Sequence, residues 1–374
     1  MRYLLCLSLV LIFIASANSQ ELQLSNDCLK CHQTIVEEWK TSRHAASTEE
    51  TNPFYSAMLK WANESSDGQA QEKCNKCHVP VKFLGATEET TNRLAYEGVT
   101  CDVCHATQQS GKWLQIGAEN TKYGPYKDAV SVVHSSEFSS FLISNDQCLT
   151  CHANLENAHG FSFCSTEEEF KQSSFYKSGV TCQDCHMPAV KSKATELGKI
   201  RNIHSHKFYG GYNSQMLHNC AELSLAAEGD STFLTVQVTV QNKGVGHALP
   251  TGSPMRSVYL KMAAFDAEGV VVWKNFINNP IKDDPKAVFM RLLQNDAGAA
   301  PVPPWEASGV RFDQRLMPDE SRTLEYMLSD TPAKKIVAEL YYRLAPPALV
   351  KKLNLDSETY GEPILIASQS VIIK

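Results

Sequence analysis

One short pattern, Cys-x-x-Cys-His, occurs five times in this chain. The copies are Cys28, Cys31 and His32; Cys74, Cys77 and His78; Cys101, Cys104 and His105; Cys148, Cys151 and His152; and Cys182, Cys185 and His186. At the Cys and His frequencies of the chain, chance supplies about 0.01 such runs. The spacing fits c-type haem attachment. Two thiols held two residues apart form thioethers with the two vinyl groups of one porphyrin, and the adjacent histidine lies under the iron. Other chemistries explain less. A thioredoxin-like Cys-x-x-Cys needs no histidine and normally occurs once. A disulfide framework does not demand a histidine after every second cysteine. Zinc sites would leave the five histidines unexplained.

The remaining sequence agrees with this chemistry. The 374 residues suffice for two domains. The formal charge of −6 gives no reason to expect nucleic acid as a partner. Two propionates per haem would make the loaded protein more acidic and favour basic partner surfaces. Residues 1–19 read as a secretory signal: Arg2 is basic, Tyr3 to Ile14 is apolar but too short to span a bilayer, and Ala15-Ser-Ala17 and Ala17-Asn-Ser19 offer cleavage sites. No later apolar run is long enough to cross a membrane, so no transmembrane segment is expected after cleavage. The implied location is periplasmic or extracellular, where c-type haem is attached.

Residues 20–220 form the expected pentahaem domain. Polar residues, Gly and Ser interrupt each apolar run, so no conventional core is expected; porphyrins would supply it. Short helices, at Thr34 to Lys40 and around Glu167 to Phe170, and little sheet should wrap them. Haem iron in such proteins takes a second axial ligand. Seven histidines remain outside the motifs: His44, His134, His159, His204, His206, His218 and His247. Two imidazoles per iron would suit electron transfer and leave no place for substrate. Cys164 and Cys220 also lie outside the motifs, and an exported protein could pair them.

Several stretches resemble multihaem cytochromes c of the cytochrome c-554 type, which share a haem-packing core with hydroxylamine oxidoreductase and the pentahaem nitrite reductases. They are Trp39-Lys-Thr-Ser-Arg-His44-Ala, Tyr96-Glu-Gly-Val-Thr-Cys101, Gly124-Pro-Tyr…His134, Ser178-Gly-Val-Thr-Cys182-Gln-Asp-Cys185-His186-Met-Pro and Ser205-His206-Lys-Phe. The resemblance covers most of residues 28–212. It implies that His44, His134 and His206 are distal ligands, each serving a haem whose motif lies elsewhere in the chain. His204 is an alternative to His206, and His159 follows the fourth motif. The nitrite reductases carry a lysine in place of one motif histidine; no Cys-x-x-Cys-Lys occurs here. The tetrahaem carrier has one motif fewer.

Residues 221–374 contain no cysteine. Alternation takes over at Phe233 to Val240, Ser257 to Ala263, Val270 to Trp273, Thr323 to Leu328, Ile336 to Tyr342 and Pro363 to Ile373, separated by turn signals such as Asn242-Lys-Gly244. This pattern predicts an antiparallel β-sandwich. The Pro-rich segment 278–314 should cover one end of it or pack on the haem domain. Gly246-His247-Ala-Leu-Pro250-Thr-Gly252 lies between two strands. It is similar to loops in C-terminal domains appended to multihaem cytochromes, which implies that His247 reaches a haem.

The expected architecture is α+β with two domains, a mostly helical and loop-built haem domain followed by the sandwich. The expected function is that of an exported pentahaem cytochrome. It carries electrons through stacked, mainly bis-histidine haems to redox partner proteins, with five covalent c-type haems as cofactors. Two other functions stay open: an oxidoreductase acting on a small nitrogen or sulfur compound at one open haem, and a subunit of an extracellular cytochrome filament or other homo-oligomer.

Overall fold

The computed structural model describes residues 21–66 and 68–373; the stretch read as a signal, 1–19, lies outside them. The motif-bearing region is a succession of short helices: α1 (Gln33–Lys40), α2 (Pro53–Ser65), α3 (Gln69–His78), α4 (Glu88–Leu94), α5 (Cys101–His105), α6 (Asn145–His152), α7 (Thr166–Gln172), α8 (Ser174–Lys177), α9 (Cys182–His186) and α10 (Ser214–His218). The first motif begins in a 3-10 turn, Ser25–Lys30, and the second closes α3. The last three motifs end or fill helices that start on a hydroxyl cap. Thr100 accepts from Val103 N–H, Ser144 from Asp146 N–H and Thr181 from Asp184 N–H. Such caps satisfy amide groups that a one-turn helix leaves without partners. The Gly-Val-Thr-Cys runs therefore have a mechanical meaning. Thr is the cap, and Gly98 and Gly179 take positive φ values of 71° and 82° that other residues resist.

Between the helices lie four two-stranded ribbons. Three are antiparallel: β1 (Thr107–Ser110) with β2 (Trp113–Ile116), β5 (Asn154–Glu156) with β6 (Ser162–Ser165), and β7 (Ala189–Lys193) with β8 (Ile200–His204). The fourth pairs β3 (Thr121–Gly124) with β4 (Ser135–Phe138) in parallel. This is more pairing than the sequence led us to expect. The region also has a small apolar core, contrary to expectation: Leu22, Val79, Val81, Leu94, Val103 and Leu114 meet with two further residues. Its members are scattered over some ninety residues, so no single run announces it.

The second half is built of β9 (Glu222–Gly229), β10 (Phe233–Gln241), β11 (Ser257–Phe265), β12 (Val271–Lys274), β13 (Val288–Phe289), β14 (Arg291–Gln294), β15 (Gly309–Asp313), β16 (Ser321–Ser329), β17 (Lys335–Arg343) and β18 (Ile364–Ile372). One sheet runs β16–β10–β9. The other runs β12–β11–β17–β18, with β13 added on β11. All these pairs are antiparallel. The register puts Val236 opposite Tyr326 and Val238 opposite Leu324 on one sheet, and Leu260 opposite Leu340 on the other. These side chains share one core, so the sheets pack face to face as a sandwich. Burying each such Val or Leu contributes roughly 1.5–3 kcal/mol relative to exposure.

Segment 278–314 is less irregular than expected. It holds the hairpin β14–β15 and leans on the motif-bearing region. There Asn157 Nδ2 donates to Pro304 O (2.9 Å) and Ala307 O (2.6 Å), and Arg291 donates to Ser162 O. Cys164 and Cys220 are both buried and both unpaired, so the disulfide left open by the sequence is not formed.

Candidate haem-binding site

All ten motif cysteines and eleven of the twelve histidines line one cavity of about 2620 Å³. That is several times the roughly 300–1,000 Å³ of an ordinary small-molecule pocket. His218 is the exception; it is exposed at the end of α10, with Nδ1 against Ser214 O.

The motifs touch through their thiols. Cys28 lies beside Cys101, Cys77 beside Cys151, and Cys148 beside Cys182, while Cys104 is close to Cys148 and Cys151. The third motif thus adjoins the first and fourth, and the fourth adjoins the second and fifth. Burial pushes the Cys104 thiol up to about 11. In the third motif's spacer, buried Asp102 binds Lys122 Nζ (2.6 Å) and accepts from Gln23 N–H (2.6 Å), so this charge is paired as a buried carboxylate must be.

Four motif histidines turn Nδ1 to a backbone carbonyl: His32 to Ala194 (2.7 Å), His78 to Ser47 (2.9 Å), His105 to Tyr123 (2.8 Å) and His186 to Tyr209 (2.6 Å). An imidazole that donates from Nδ1 keeps Nε2 as a lone pair for a metal.

Three histidines from elsewhere stand opposite motif histidines. The ring centroids of His44 and His152, of His105 and His206, and of His186 and His247 are each 6.2 Å apart, with planes at 44°, 28° and 13°. Metal–nitrogen bonds of about 2 Å on both sides, with each centroid about 1 Å behind its nitrogen, separate two imidazoles on one metal by about 6 Å. The pairs are too far apart to touch and spaced to share an ion. Burial lowers His44 to about 3 and His152, His206 and His247 to about 4, which keeps them in the neutral form that ligates. Among the described residues no three His, Cys, Asp or Glu side chains converge as a bare metal ion would need.

The backbone around each of the rings of His44, His206 and His247 is fixed. Val99 N–H donates to His44 O (3.0 Å), and a Cβ on Gly98 would come within 2.5 Å of that same oxygen. Glycine is therefore needed here for a close approach as well as for its φ. Phe208 meets the His44 ring edge-on at 4.3 Å, while His44 Nδ1 is buried without a partner. Glu38 on α1 accepts from His206 N–H (2.7 Å), and His206 Nδ1 faces His204 O (2.9 Å). His247 Nδ1 faces Ala248 O (3.0 Å), and Asn242 Nδ2 donates to His247 O (2.8 Å).

His32 and His78 have no imidazole opposite at this distance among the described residues. Tyr55 stacks on His78 at 3.8 Å, with the planes 2° apart, and its hydroxyl donates to Asn75. His134 sits at the end of a loop that Asp128 ties to Lys199 (2.6 Å) and Arg201 (3.0 Å), beyond the β7 ribbon whose following residue, Ala194, faces His32. His159 lies in the turn that Asn157 fixes to Pro304 and Ala307. From there Trp305 donates to Ser65 Oγ on α2 (2.7 Å), beside the second motif's helix. His204 also lines the cavity, with Nδ1 against Met187 O (2.5 Å). Tyr55 and Glu38 support these rings, and neither was assigned a role at the site from sequence.

Among the described residues no helix is long and apolar enough to cross a membrane. Residues 27–106 match the family described as cytochrome c554 and c-prime. A penta-heme cytochrome c552 from Thermochromatium tepidum is similar in structure over 94% of this chain and 99% of that one, with 28% identity and a TM-score of 0.75. A DUF1425 family member from Shewanella sp. pv-4 aligns over 34% of this chain and 79% of that one, with 14% identity, but its TM-score of 0.17 supports no argument. No curated protein matches the chain. With five Cys-x-x-Cys-His motifs on one cavity and these two likenesses, the chain is similar to multihaem cytochromes c of the cytochrome c-554 type.

Proposed function

We propose that the protein is an exported pentahaem electron carrier of the periplasm or extracellular space. Its signal is residues 1–19, its haem domain residues 20–220, and its β-sandwich domain residues 221–374. Each motif supplies two thioethers and a proximal histidine: His32, His78, His105, His152 and His186. The distal partners are His44 for the fourth motif, His206 for the third and His247 for the fifth. We assign His134 to the first and His159 to the second, on the ties that bring their loops toward those motifs. When bound, each haem supplies one reversible electron at its iron. The chain's own work is to hold two neutral imidazoles at a fixed spacing, to keep Nδ1 of His32, His78, His105, His186, His206 and His247 on a carbonyl, and to wall the cavity from water. Redox partner proteins would exchange electrons with it.

The observation that carries this reading is the threefold recurrence of a 6.2 Å imidazole pair. Two measurements test it. Intact mass after denaturation should exceed the processed chain by five haems. Electron paramagnetic resonance of the oxidised protein should show only low-spin iron. The competing reading, an oxidoreductase for a small nitrogen or sulfur compound, has its natural place at the first or second motif, where among the described residues no imidazole stands opposite His32 or His78 at the 6.2 Å of the other pairs. A high-spin signal and carbon monoxide uptake by the unaltered protein would move the function there.

A further inference from the structure

The GHALPTG loop is not held by its own turn alone. Glu169 on α7 is a carboxylate only 4% exposed, and it collects four donors. Its Oε2 accepts from Ala248 N–H (3.2 Å) and Thr251 Oγ1 (2.5 Å). Its Oε1 accepts from Ser165 Oγ (2.8 Å) and Arg315 Nη1 (2.6 Å). Arg315, 7% exposed, spends its other nitrogens on Asp313, Nε at 2.9 Å and Nη2 at 2.8 Å. One side chain therefore joins three segments: α7, the loop between β10 and β11, and the strand end after β15.

The geometry around His247 gives this carboxylate a specific consequence. The carbonyl of Ala248 faces His247 Nδ1, while the N–H of the same residue is held by Glu169. The residue that orients the imidazole is thus pinned at both of its polar groups. The outcome is the flattest of the three facing pairs, 13° between His186 and His247 against 28° and 44° elsewhere. The angle between two axial imidazoles governs the anisotropy of a low-spin ferric iron, so that angle has a spectroscopic signature.

We propose that Glu169 is a positioning residue for His247: through Ala248 and Thr251 it sets how the imidazole stands against His186, and through its buried charge it lowers the reduction potential at the fifth motif. This rests on the reading of His247 as a ligand. A fixed negative charge favours the ferric state, and Arg315 offsets it only in part because Asp313 already occupies two of its nitrogens.

The test uses the loaded full-length protein. Glu169→Gln should keep five haems by intact mass, change the g values of one low-spin signal and raise one of five reduction potentials, leaving the other four in place. Glu169→Asp should return that potential toward its original value. Thr251→Val, which removes one donor and keeps the charge, should move the same signal with little change in potential. If Glu169→Gln does not accumulate, Thr251→Val decides by the same signal. A lowered melting temperature with all five signals and potentials unchanged would make Glu169 a plain structural tie and overturn the proposal, as would an unmoved signal in Thr251→Val. His247→Ala, measured alongside, separates the two failures. If it opens no iron, the ligand reading is wrong; if it opens one while Glu169→Gln changes nothing, only the positioning role is.

Discussion

The core of the sandwich gathers twenty-six buried side chains, two of them, Leu217 and Cys220, from before residue 221, whereas the motif-bearing region gathers eight into its largest. The sandwich buries its own valines and leucines along alternating strands. The other region lines a cavity of about 2620 Å³. A region with its own core is stabilised by apolar area it always carries. A region that encloses cofactors is stabilised by what they bring, as in small metal-dependent domains. The two halves should therefore differ most when haem is withheld.

The largest effect is expected there. A chain lacking residues 1–19, made in the cytoplasm without haem, should keep its β signal in circular dichroism and release a protected fragment beginning near residue 217. Equal protection of residues 21–216 would erase the distinction. Next comes Leu340→Ala in β17, where the side chain is 0% exposed. It should cost about 2–5 kcal/mol in denaturant titration of the sandwich. Haem content should stay the same, and a loss of haem would show that the halves fold as one unit.

A smaller effect is expected where the halves meet. Asn157→Ala removes the two bonds to Pro304 and Ala307 and frees the amides of His159 and Phe161. Leaving such groups without partners costs roughly 1–3 kcal/mol each, before water repairs some of the loss. The altered low-spin signal should belong to the second motif, and an unchanged spectrum would count against His159 as its ligand. The smallest effect concerns pH. Burial alone would raise Glu169, but the Arg315 charge and the hydrogen bonds from Thr251, Ser165 and Arg315 outweigh it and hold the carboxyl below its usual range. A lowered folded value means stability that is present above the unfolded carboxylate range and lost as pH falls through the folded value. The gap in melting temperature between the unaltered protein and Glu169→Gln should be full at neutral pH and close in acid; a gap that widens in acid would reverse the sign.

The two halves also differed in how far their sequences could be read. Strands β10, β11, β16, β17 and β18 lie where alternation puts them, because a half-buried strand writes its burial into every second residue. β9 was missed: Glu222-Leu-Ser-Leu-Ala-Ala-Glu-Gly alternates only at its start and relies on β10 for its register. In the motif-bearing region the Cys-x-x-Cys-His runs are local and legible. The facing pairs are not, since His105 meets His206 and His186 meets His247 through tertiary packing that no spacing encodes. The small core at Leu22, Val81 and Leu94 was invisible for the same reason. Cys164 and Cys220 were legible as spare thiols, but whether they bond depends on a separation that only the fold reveals.

The bonds between the halves also carry an order in time. Trp305 reaches Ser65 across 240 residues, and Asn157 reaches Ala307 across 150. Every motif lies ahead of these late contributors in the chain. A chain made from its N-terminus therefore has all five motifs before it has the His247 loop, Pro304 or Trp305, and the wall that these residues give the cavity is the last part of it to be made.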